Sequence, residues 1–386
     1  MPYYQRVGRV PSKRHVDHRD ADGRRLSEEL IGRHGFSGES TLLYHRRSPS
    51  AVKAIRPAPE VEPVASSVEA PLRPHHLRPA ELATPADGAD PVLARHVLLR
   101  NADVSLAWVA ADTDSALTRS VVGDEIVFVQ AGSAVLETVV GALAVAPGDY
   151  VVVPSGITHR WAEVTDLRAL VIATTGVVSV PDRYLSPQGQ FLEHAPFCER
   201  DLRMPSEPME REGSDVDVLV RSAGGGTWHT HEHHPFDVVG WDGCVYPWAL
   251  NVRDFEPIVG SIHQPPPVHQ TFAAPGIVVC SFVPRPFDFH PEAIKVPYHH
   301  ANVDSDEVLF YADGDFMSRR GSGIGRESMS FHPAGFVHGP QPGSVEASAD
   351  AERTEETAVM VDTFRPLEMT DAARSVSDPD YPSSWG

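Results

Sequence analysis

Apolar residues in this chain fall into short β-branched runs rather than the 3.6-residue stripes of amphipathic helices. Val121-Val122, Glu125-Ile126-Val127-Phe128-Val129, Ala134-Val135-Leu136 and Tyr150-Val151-Val152-Val153 are separated by Gly, Pro and Asp. Turn residues at intervals of about 8–12 predict antiparallel strands. Leu170–Val180 predicts one more strand. A second series comprises Val216–Val220, Ile277–Val283, Val308–Tyr311, Met329–Phe331 and Ala358–Phe364. No helical periodicity is sustained. The expected architecture is all-β in two halves, 93–180 and 216–366. Residues 1–92 read as an N-terminal arm and linker, 181–215 as a second linker and 367–386 as a C-terminal tail. Within the arm, Glu28-Glu29-Leu30-Ile31-Gly32 predicts a short helix running into the loop Gly35-Phe36-Ser37-Gly38. The Pro-, Ala- and Glu-rich stretch 56–92 predicts a connection with little regular structure.

The halves share a spaced motif. Glu125 is followed seven residues later by Gly132, then by Gly148, Pro154-Ser155-Gly156 and His159. Glu307 is followed seven residues later by Gly314, then by Pro333-Ala334-Gly335 and His338. The pattern E-x6-G … P-x-G-x-x-H is the signature of cupins, jelly-roll β-barrels of the RmlC-like type that carry a metal inside. The fold expected is therefore two cupin-type barrels with an N-terminal arm. Two departures stand out: Glu327 occupies the place of Gly148, and Thr118 and Ser120 stand where metal-binding cupins have histidines.

Composition narrows the function. An apolar fraction of 41% over 386 residues allows a large core. A net charge of -20 disfavours nucleic acid and anionic membranes, which select basic faces. No apolar run is long enough to span a bilayer, and the polar N-terminus lacks the apolar segment of a signal peptide. The three cysteines, Cys198, Cys244 and Cys280, are scattered and odd in number, so a reducing cytoplasm is expected. Histidine is the abundant reactive residue, with 20 copies gathered mainly in the second half.

Barrel strands point alternate residues inward, so distant side chains converge. His300, Glu307 and His338 would then present two imidazoles and one carboxylate, the facial set that leaves positions open on non-haem Fe(II). His299 is a rival for His300, although adjacent strand residues face opposite ways. Asn302, at the second histidine position of the motif, is expected to give an outer hydrogen bond. The first half keeps only Glu125 and His159, too few for a metal, and is read as structural. The tract His229-Thr230-His231-Glu232-His233-His234 is read as a solvated polar loop before a strand.

The chain resembles the homogentisate 1,2-dioxygenase family. The resemblance rests on Pro235-Phe236-Asp237-Val238-Val239-Gly240-Trp241-Asp242-Gly243, Phe282-Val283-Pro284-Arg285, Pro297-Tyr298-His299-His300-Ala301-Asn302, Glu307 and His338-Gly339-Pro340. It is strong over 225–366 and loose over the first half. It implies Fe(II) held by His300, Glu307 and His338, and a base towards the substrate phenol at His263, with His269 the weaker candidate. It implies substrate contacts at Arg319, Phe316, Asn302 and His332, with Phe316 and Arg319 standing where the family has Tyr and Lys. The implied reaction opens homogentisate with O2 to give maleylacetoacetate, as in tyrosine catabolism. A homo-oligomer, trimer or dimer of trimers, is also implied. Alternatives are a dioxygenase acting on gentisate or hydroxyanthranilate, and a non-catalytic bicupin that binds a small molecule.

Overall fold

The structure is a computed structural model that describes residues 3–61, 63–82 and 89–386. Parts of the 56–92 connection therefore lie outside the described residues. The architecture is all-β and cupin-type, with two large sheets and two small ones among the described residues. The first large sheet is built around strands Glu125–Thr138, His159–Thr174 and Val104–Ala111. The second runs Gln270–Ala274, Ile277–Phe282, Thr357–Thr363, Asp306–Asp313, Met329–His332 and His75–Leu77.

Several boundaries differ from the sequence reading, and hydrogen-bond pairing explains each. Strands Ser214–Ser222, Gly225–His233 and Trp248–Asn251 join the first sheet, so the pairing change towards the second sheet falls near Gln270 rather than at 216. The expected helix over 28–32 is instead strand Ser27–Gly32, paired antiparallel with Ser40–His45. Five residues cannot sustain an isolated helix, whereas a neighbouring strand supplies partners for the backbone groups on its side. The expected strand Leu170–Val180 is the end of His159–Thr174. The His229–His234 tract is not a loop. It lies on Gly225–His233 between two partner strands, which buries His231. The 56–92 connection carries strands at Val52–Ala58, Ser66–Ser67 and His75–Leu77.

The arm is pinned to the body. Strands Gln5–Gly8, Ser40–His45 and Ser27–Gly32 build a four-stranded sheet on Val238–Gly243, part of the motif that carried the family resemblance. His45 is buried there, with Nδ1 2.6 Å from Asp237 and Nε2 2.9 Å from Glu29. Burial opposes its charge, but the hydrogen bonds to the two carboxylates outweigh it and the pKa is pushed up to about 9.

Strands of the first sheet are buried on both faces. Val127, Val129, Leu136, Trp161 and Leu219 fill the interior of the first barrel. Ile126 and Phe128, on the opposite face, meet the second sheet in an aromatic seam. Trp108 packs on Phe310 with centroids 5.6 Å apart, and Tyr150 on Phe272 at 5.2 Å. The motif glycines turn the chain in both halves. Gly132 (φ 75°) and Gly314 (φ 95°) are left-handed, and a Cβ there would lie 2.2 Å and 2.0 Å from the carbonyl oxygens of Asp166 and Glu355. Only glycine fits such positions. Glu327, the departure from the motif, also adopts a positive φ of 65°, and its carboxylate pairs with Arg168.

Candidate metal centre

Strand Asp306–Asp313 alternates: Val308, Phe310 and Ala312 enter the core, while Glu307, Leu309 and Tyr311 line a cavity of about 350 Å³. Glu307 is thereby fixed by the strand. His300 and His338 come from two loops that lock each other. Each backbone N–H donates to the other's carbonyl, at 2.8 Å and 2.9 Å. His299 turns to the exposed side against Gly339. His300, Glu307 and His338 form the cluster of potential metal ligands found among the described residues, their ligand atoms within 4.8 Å of one another.

The orientation of the imidazoles suits a cation. His300 Nδ1 lies 3.1 Å from the Tyr298 carbonyl, and His338 Nδ1 lies 3.0 Å from the Phe336 carbonyl. A carbonyl only accepts, so both Nδ1 atoms carry hydrogen and both Nε2 lone pairs face Glu307. His338 Nε2 is 3.1 Å and His300 Nε2 3.6 Å from the carboxylate. Two lone pairs turned on an anion repel unless a positive charge sits between them. Burial would raise the Glu307 pKa, yet the imidazoles of His300, His332 and His338 gathered on it hold it well below the usual carboxylate range. The donor set, two nitrogens and one hard oxygen without thiolate, fits Fe(II) among other divalent ions.

The first barrel repeats this arrangement with a different charge. His159 Nδ1 bonds the Ile157 carbonyl at 3.0 Å, the same two-residue reach, and its buried Nε2 has no partner among the described residues. Here Arg95 and Arg221 clamp Glu125 at 2.9 Å and 2.7 Å. Two guanidiniums thus stand against the carboxylate.

The other expected site residues divide. His263, Asn302 and Arg319 line the cavity; Phe316 and His332 do not. Phe316 packs on Tyr311 at 4.9 Å and His332 lies behind Glu307, so neither is placed to touch substrate directly. His263 is half exposed and faces Tyr298 at 5.1 Å. Arg319 is buried; its Nε donates to the Tyr311 hydroxyl at 3.0 Å and Nη1 to the Gly339 carbonyl at 2.8 Å. Sequence reasoning missed Arg285, Tyr311 and Asp362 on the cavity wall, where His269 also lies. Arg285 is held over Phe282, and among the described residues neither it nor Arg319 has a carboxylate within salt-bridge distance. His269 is buried with Nδ1 unpartnered, and burial pushes its pKa down to about 3. Asp362 is pushed up to about 7, first by burial and then by Glu307. Strand alternation was the available signal, since Tyr311 shares the face of Glu307.

Comparison with known proteins gives the family. The family model described as the homogentisate 1,2-dioxygenase N-terminal region matches residues 40–252. A protein of Saccharolobus solfataricus, named "Putative dioxygenase", is 36% identical over 389 residues, covering 100% of this chain and 99% of its own. The chain belongs to the homogentisate 1,2-dioxygenase family. Membership makes it a dioxygenase-family enzyme. Homogentisate 1,2-dioxygenase of Rhodopseudomonas palustris is 26% identical over 282 residues, 68% of this chain, and that of Caenorhabditis elegans 28% over 241 residues. The alignments span only 61% and 53% of those two relatives. The match to 40–252 lies mostly in the half where the sequence resemblance is loose, so family character extends beyond the motifs of the second barrel. A cupin 2 conserved barrel domain protein from Leptotrichia buccalis covers 75% of this chain at 10% identity. Its TM-score of 0.36 is too low to bear on the fold.

Proposed function

We propose that the chain is an iron(II)-dependent dioxygenase that opens the ring of homogentisate or a closely related hydroxylated aromatic acid. The observation that carries this reading is the convergence of two imidazole lone pairs on Glu307, beside a cavity whose walls hold two arginines without carboxylate partners. His300, Glu307 and His338 would hold the ion. Bound Fe(II) would bring the phenol and O2 to one centre and pass electrons between them.

The chain's own residues do the rest. Arg285 and Arg319 orient an acidic side arm through charge-assisted hydrogen bonds. His263, on the same cavity, takes the phenol proton on an imidazole nitrogen. Leu309, Met360 and Phe282 give the cavity apolar walls that limit water. The first barrel serves as structure, its clamped Glu125 needing no metal. The unpaired cysteines accord with a reducing cytoplasm. Among the described residues no helix is long and apolar enough to cross a membrane.

The test is anaerobic loading with Fe(II), then O2 uptake against homogentisate, gentisate and hydroxyanthranilate. Fastest uptake with homogentisate and a ring-opened product are expected. An iron-loaded protein that consumes no O2 with any of them would overturn the reading. Preference for gentisate would keep the chemistry and move the substrate.

A further inference from the structure

Behind Glu307 a chain of hydrogen bonds ends in the last residues of the protein. His332 faces Glu307 across the antiparallel pair of strands Asp306–Asp313 and Met329–His332, and is fully buried. Its Nδ1 lies 3.1 Å from Glu307 Oε1 and its Nε2 lies 3.0 Å from the Tyr381 hydroxyl. Its ring stacks on His338, with centroids 3.9 Å apart and planes at 20°. Trp385 packs on Tyr381 at 5.1 Å and donates Nε1–H to the Gly339 carbonyl at 3.1 Å. Gln341 donates to the Ser384 hydroxyl at 3.0 Å. The tail, expected only as a terminal extension, therefore seats against the candidate metal centre.

Proton inventory gives this chain a direction. An ionised carboxylate only accepts, so His332 Nδ1 must carry the hydrogen it shares with Glu307. A neutral imidazole has one N–H, which leaves Nε2 as an acceptor and Tyr381 as the donor. Without the phenol only Glu307 selects that tautomer, and the buried Nε2 lone pair loses its donor. The other tautomer would turn a lone pair on the carboxylate and leave Glu307 without its inner hydrogen bond.

We propose that Tyr381 is a positioning residue for the metal centre: it fixes the His332 tautomer that holds Glu307 in place, and Trp385 seats the segment that carries it. The proposal rests on the reading of His300, Glu307 and His338 as ligands. Loss of an outer-shell partner of this kind typically weakens metal binding by about 10–100-fold. The experiment compares Fe(II) affinity of the full-length parent and Tyr381→Phe under anaerobic conditions, by competition with a chelator. A fall of that size is expected, with little change in the melting of the metal-free protein. Nitrogen NMR of the metal-free protein should show His332 protonated at Nδ1 in the parent and a measurable share protonated at Nε2 in the variant. A double-mutant cycle adds His332→Gln, whose amide can donate to Glu307 without a tautomer to select. In that background Tyr381→Phe should change affinity by less than about twofold. Unchanged affinity in Tyr381→Phe, or an equal loss in both backgrounds, would overturn the proposal. A parent that binds no Fe(II) would overturn the ligand assignment and this inference with it. Tight binding by parent and Tyr381→Phe alike would overturn this inference alone.

Discussion

Glu307 is the residue on which the candidate site turns, because three imidazoles are aimed at one carboxylate. Replacing Glu307, His300 or His338 by Ala should strip bound iron and O2 uptake together while far-ultraviolet circular dichroism stays β-rich. Full iron content in desalted His338→Ala protein would count against the assignment. The proton acceptor is a separate question. His263→Ala should keep its iron and lose about 10²–10⁴-fold in turnover, the usual weight of acid–base help. Turnover per bound iron decides it: a normal value there, with a large loss in His269→Ala, would move the role to the buried imidazole. At this scale the sequence was readable where spacing and alternation speak. His300, Glu307 and His338 follow from the motif, whereas His299 is exposed on a loop and not on the strand that the alternation argument assumed. Arg285 and Asp362 were not readable, because their place depends on which strands become neighbours. His332 and Phe316 were assigned to substrate by resemblance alone, and packing puts both behind the cavity wall.

Among elements, the arm sheet carries its own pH dependence. His45 has its pKa raised from about 6.5 when unfolded to about 9 when folded. A raised folded pKa contributes stability that is fully present below pH 6.5 and is lost as pH rises through 9. The shift corresponds to at most about 3 kcal/mol. Urea unfolding followed from pH 6 to pH 9.5 should therefore show falling stability in the parent and a flatter profile in His45→Gln. Parallel profiles would mean that the Asp237–His45–Glu29 contact does not titrate in this range. The motif turns give a second expectation. Gly314→Ala should cost of order 1–3 kcal/mol or more, since its Cβ would meet a carbonyl oxygen at 2.0 Å as well as the left-handed backbone penalty. Gly321→Ala meets only the backbone penalty, having open space around it. Equal melting points for the two variants would refute the steric argument. Strand positions inside each half were largely legible from β-branched runs. The Ser27–Gly32 strand was not, because its partner Ser40–His45 and the docking strand Val238–Gly243 supply what local sequence does not.

For the molecule as a whole, the two halves are laced together at both ends. Strand His75–Leu77 pairs with Met329–His332 in the second sheet, and strand Glu368–Thr370 pairs with His96–Arg100 in the first. A two-half fold was legible from the repeated motif, but this exchange was not, since short pairing segments carry no periodic signal. A chain ending at residue 366 should therefore melt earlier and bind Fe(II) more weakly than the full chain; unchanged melting would show that Glu368–Thr370 is dispensable to the fold, and unchanged affinity that Tyr381 is dispensable to the metal site. Ile262, Phe289, Ile294, Val303 and Val337 are exposed on segments around the cavity, and the homo-oligomer that the family resemblance implies would be expected to cover such residues. Sedimentation giving a clean 42.1 kDa species at working concentration would count against it. The lacing also bears on synthesis. On the ribosome, residues 75–77 emerge about 250 positions before the strand that receives them, and residues 96–100 wait slightly longer for 368–370. Neither sheet can close its outer edge until translation is nearly finished. The nascent chain must therefore carry two open strand edges through most of its elongation, the condition in which unpaired backbone is most exposed to association with other chains.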